Sequence, residues 1–74
     1  MKDEKTERLN KIAALEGAML NHLRFAARYA EIAIKHDEIF DHAGVDMSAD
    51  KFLDHARDVS RKLTELRQLR GVLD

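Results

Sequence analysis

Apolar side chains recur along this chain at alternating steps of three and four residues, a spacing that places them on one side of an α-helix. Phe52, Ala56, Val59, Leu63, Leu66, Arg70 and Leu73 form one such row. Leu9, Ile12, Glu16, Met19, Leu23, Ala26, Ala30, Ala33, Asp37 and Phe40 form another. Proline is absent from all 74 residues, and three glycines stand against ten alanines. Ala, Leu, Glu, Lys and Arg lose little rotamer freedom on a helical backbone, so composition and periodicity agree on an all-α chain of one domain.

The clearest break is the segment AGVDMS at residues 43–48. Gly44 suits the left-handed residue that ends a helix, and Ser48 suits the cap that starts the next, with Met47 and Phe52 spaced for a hydrophobic staple. Gly71 would end the second helix in the same way, with Arg67 and Arg70 placed well for its dipole. These signals predict helix 1 over about residues 4–43 and helix 2 over about residues 49–70. The arrangement is a long two-helix antiparallel hairpin with coiled-coil-like packing. Setting 43 opposite 49 pairs Ala26 with Leu66, Ala33 with Val59 and Ala30 with Leu63, small against large.

On these boundaries helix 1 spans about 60 Å and helix 2 about 33 Å, which leaves an uncovered apolar overhang on helix 1. Leu9, Ile12, Leu15, Met19, Leu20 and Leu23 are therefore the expected dimer interface, through which two hairpins would form a four-helix bundle. A chain this small buries too little surface alone to be comfortably stable, which favours the same outcome. The competing arrangement has Gly17 break helix 1, so that the residues before it fold back as a third helix.

Helix 1 also carries a second row, Ala18, His22, Phe25, Tyr29, Ile32, His36 and Ile39, turned away from the first. One short helix cannot cover both faces. Phe25, Tyr29, Ile32 and His36 are thus expected to bind a protein partner or to form a second interface, with the aromatics as anchors.

The charge is −1 overall but uneven, −5 over residues 37–54 and +3 over residues 57–70. The basic residues Arg57, Arg61, Lys62, Arg67 and Arg70 make RNA or DNA binding the alternative function, although they spread around the helix without interleaved aromatics. In outline such a dimer resembles the plasmid-encoded RNA-binding helical-hairpin regulators, a likeness of architecture alone. The acidic stretch could attract a basic partner or a divalent ion, and only part of it, Asp50 and Asp54, helps a helix start.

Glu38 with His42 and His55 with Asp58 have spacings that put two metal ligands on one helix face. Nothing in the sequence makes the pairs converge, and a solvated salt-bridging face explains them better, so no metal or cofactor is expected. Asp37 is expected to pair with His55 across the seam, whereas Glu16 and Arg70 either meet near the bundle's ends, within the hairpin or across the dimer, or turn out to water. No nucleophile motif, phosphate loop or carboxylate pair in a cleft is present, so the chain does not read as an enzyme. It has no cysteine, no apolar run near the roughly 20 residues of a membrane span, and no leader-like apolar segment, which suggests a cytoplasmic protein. The expected function is that of a small non-enzymatic helical dimer that binds another protein as a regulator, inhibitor or adaptor.

Overall fold

The computed structural model describes residues 3–73, with side chains through Gly71, and shows two antiparallel helices packed along their length in a rod of 60 × 15 × 14 Å. The first helix, α1, is Glu4–Glu38 and the second, α2, is His42–Leu73, 35 and 32 residues long. The all-helical hairpin expected from the spacing is what forms. Its helices are nearly equal, however, and the overhang of helix 1 does not exist. Leu73 lies on the α2 row by sequence, but its side chain is outside the described residues.

Asp3 starts α1. Its Oδ1 accepts the Lys5 amide at 3.0 Å and its Oδ2 accepts the Thr6 hydroxyl at 2.8 Å, while Glu4 and Glu7 in the first turn suit the positive end of the dipole. The Thr6 hydroxyl first, and the Lys5 amide second, hold the Asp3 carboxyl below its ordinary pKa. Helix α1 then runs unbroken through Gly17, where an added Cβ would meet nothing within 4 Å. The three-helix arrangement is thereby excluded for this fold.

The reversal falls at Ile39, Phe40 and Asp41 rather than at residues 43–48. The Phe40 amide donates to the Asp37 carbonyl at 3.0 Å and the Asp41 amide to the His36 carbonyl at 2.9 Å. That bonding pattern is a Schellman motif, with Phe40 in the left-handed position at φ 58°. Asp41 then caps α2: its carbonyl accepts the Val45 amide at 3.0 Å and its Oδ1 accepts the Gly44 amide at 3.0 Å. One residue thus closes one helix and opens the next.

Gly44 and Ser48, read in the sequence as the stop and the cap, are both inside α2. Gly44 is there for space, because a Cβ would collide with the His36 ring and the Asp41 carboxylate. Ser48 is buried in the seam, and Met47 stands exposed rather than stapled to Phe52. Gly71 likewise lies within α2 and not past its end.

The earlier turn moves the register by more than a heptad. His55 faces His22, Phe25 and Tyr29, so the pairings of Ala26 with Leu66 and Ala33 with Val59 do not occur in this arrangement. Ile12, Ala26 and Leu66 form the buried apolar core, and Leu66 is fully enclosed. Complete burial of such a leucine contributes roughly 1.5–3 kcal/mol by transfer alone. Among the described residues, no helix is long and apolar enough to cross a membrane.

Candidate functional site

In an antiparallel pair of right-handed helices, positions turned in the same sense from the seam lie on the same side of the pair. Two ion pairs across the seam therefore label the two flanks. Arg70 reaches Glu16 at 3.3 Å on one of them, the first of the alternatives the sequence left open, and His22 Nδ1 stands 3.7 Å from Asp58 Oδ2 on the other.

Heptad steps from Glu16 lead to Leu9 and Leu23, and steps from Arg70 lead to Leu63, Ala56 and Ala49. Leu20, Ala27 and Ile34 lie just outside that row on α1, as Leu53 does on α2. Leu9, Leu20, Leu23, Ile34 and Leu53 are all exposed, Ile34 at 61%. This leucine flank is rich in exposed apolar side chains, with the Glu16–Arg70 pair set within it and Asp37, Asp46 and Arg67 also on its rows. Of the six residues expected to dimerise, Leu9, Leu20 and Leu23 are on it. Ile12 is buried inside the hairpin, and Leu15 and Met19 are partly buried, because the longer α2 covers them.

The opposite, histidine flank is built differently. Heptad steps from Asp58 give Lys51 and Glu65, so the α2 side is charged. The α1 side presents Phe25, which is exposed, and Ile32, which is partly buried. Between them His55 lies against three rings. Phe25 stacks on it at 5.2 Å between centroids and 18° between planes, Tyr29 at 5.7 Å and 13°, and His22 tilts against it at 5.2 Å. The Nδ1 atoms of His22 and His55 are 2.9 Å apart, so one ring must donate a proton to the other. His22, His55 and Asp58 each offer a ligand atom within 4.8 Å of the others.

His36, one heptad beyond Tyr29, belongs to the turn: its Nδ1 is 2.9 Å from Asp41 Oδ2. Asp37 is exposed and gives its carbonyl to the turn, so the expected Asp37–His55 pair is replaced by the histidine cluster. Glu38 and His42 are separated by the reversal, the first ending α1 and the second opening α2, which removes their shared helix face. His55 with Asp58 keeps its spacing and gains His22 as a third member. The sequence held these residues in view, but their convergence depends on the register, which the misplaced turn concealed.

The basic residues of α2 do not make one patch. Arg57 pairs with Asp54 at 3.5 Å, Arg61 with Asp58 at 3.6 Å and Arg70 with Glu16. Lys62 is partly buried toward the seam, and Arg67 is exposed. Near the start of α1 an open groove is lined by Glu4, Glu7, Arg8, Lys11 and Leu69, a mixture of both signs. Comparison with protein-family models, with curated proteins and with solved structures finds no match for this chain.

Proposed function

We propose that this protein is a non-enzymatic interaction module in which two copies pair through their leucine flanks into a four-helix bundle. The histidine flank of each copy then faces outward to engage another protein. The exposed row of Leu9, Leu20, Leu23, Ile34 and Leu53 carries the reading. Five large apolar side chains exposed on one flank are more than a monomeric rod needs to leave in water. A rod 60 Å long and about 15 Å across has room for the roughly 800 Å² per partner of a standard interface. A second copy supplies the matching surface, since a two-fold axis sets a flank against itself. Phe25 remains on the outer side as the aromatic anchor, with the partly buried Tyr29 and Ile32 beside it, for the partner that this module regulates, inhibits or adapts.

The nucleic-acid reading draws less support, because Arg57, Arg61 and Arg70 each already face an acid. Light scattering over a concentration series tests the proposal, with Leu23→Asp and Phe25→Asp compared. Leu23→Asp is expected to weaken the dimer roughly a hundredfold or more, since a two-fold axis buries the new charge twice. Phe25→Asp is expected to keep the wild-type mass. A wild-type chain that stays monomeric at high concentration, or the reverse ranking of the two variants, overturns it.

A further inference from the structure

We infer that His22, His55 and Asp58 form a binding site for a divalent transition-metal ion, with Zn²⁺ the best match. Two imidazoles and a carboxylate are the donor set of a borderline cation, and three protein ligands leave a fourth tetrahedral position for water or an incoming ligand. Bonds of 2.0–2.1 Å at tetrahedral angles set neighbouring donor atoms about 3.3 Å apart. Here the two Nδ1 atoms are 2.9 Å apart and His22 Nδ1 is 3.7 Å from Asp58 Oδ2, close to that spacing on either side, while the third pair, His55 with Asp58, lies within 4.8 Å and has the furthest to close. An ion would take the place of the proton that the facing nitrogens otherwise share.

The surroundings orient the donors. Phe25 and Tyr29 hold the His55 ring by stacking. Arg61 Nη1 is 3.6 Å from Asp58 Oδ1, which leaves Oδ2 as the oxygen turned toward His22. Such outer contacts fix ligand geometry in metal sites. His55 and Asp58 come from one helix and His22 from the other, so the ion would tie α1 to α2 near the middle of the rod. The remaining histidine pair at the turn, His36 with Asp41, brings only two donors together. The site lies on the histidine flank, so it does not depend on the pairing of two copies.

The test uses the full chain without a histidine tag, stripped with chelator and desalted, then titrated with ZnCl₂ by calorimetry and with CoCl₂ by absorption. One ion per chain is expected, with the visible bands of tetrahedral Co²⁺. With free Zn²⁺ a hundredfold above Kd, Tm is expected to rise by roughly 10–20 °C. His22→Gln, His55→Gln and Asp58→Asn should each weaken binding tenfold or more while the metal-free circular dichroism stays helical. His42→Gln should leave the affinity unchanged. The inference is overturned if Zn²⁺ produces neither heat nor a Tm shift, or if binding survives both histidine variants. Loss of binding with His42→Gln would also overturn it.

Discussion

Among the buried side chains of the seam, those nearer the closed end of the hairpin are small and those nearer the open end are large. Ala26 and Ser48 lie in the half nearer the turn, where the larger Tyr29, His36 and Val45 are only partly buried, while Ile12 and the fully enclosed Leu66 lie in the other. The closed end is held by backbone geometry: the Schellman bonds, the Asp41 cap and a glycine that lets the chain pass close to His36. The open end has no covalent link and must be held by apolar volume, aided on one flank by Arg70 and Glu16. One rod therefore combines two ways of keeping helices together, and the histidine cluster sits near its middle, at the level of Ala26.

Removing volume at the open end should cost the most. Leu66→Ala is expected to destabilise the fold by about 2–5 kcal/mol, read by urea unfolding at fixed protein concentration. A loss well under 1 kcal/mol would mean that the open end does not rely on packed volume. At the closed end the matching test adds volume. Gly44→Ala should cost about 1–3 kcal/mol, because the new methyl must displace the His36 ring or the Asp41 carboxylate that caps α2. If the substitution instead stabilises by about 1 kcal/mol, as alanine does in an uncrowded helix, the close approach at Gly44 is not holding that end.

The hairpin itself was legible in the sequence, because the three-and-four spacing and the absence of proline leave a chain like this little else to form. The turn was not. Gly44, Met47 and Ser48 carry the local chemistry of a helix boundary, and each serves another purpose: close approach, exposure to solvent, and burial in the seam. The actual boundary uses Phe40 where glycine is usual, and so gives no local signal. Because a heptad pattern looks alike when slid by a repeat, the misplaced turn still gave plausible pairings and hid which residues meet. The Glu16–Arg70 pair could be raised as one alternative because both side chains are long enough to reach across a range of registers. The convergence of His22 on His55 and Asp58 could not, since short side chains meet in one register only.

The smallest effect concerns the residue that concealed the turn. A non-glycine residue in the left-handed region costs about 1–2 kcal/mol, whereas glycine there costs only its greater freedom in the unfolded chain, about 0.5–1 kcal/mol. Phe40 is 81% exposed within the single chain, so its ring returns little packing for that strain. Phe40→Gly is therefore expected to stabilise the isolated hairpin by about 0.5–1 kcal/mol, a rise of a few degrees in Tm. Ile39→Gly, at the neighbouring cap where φ is −104°, should not stabilise, because no left-handed strain is relieved there. Measuring Phe40→Gly at low and at high protein concentration makes the contrast between the two ends sharper. A gain at both concentrations leaves the ring a strained bystander at a closed end held by its backbone. A gain at low concentration that reverses at high concentration would show that assembly buries the ring, and that the closed end too draws on apolar volume, supplied by a second copy.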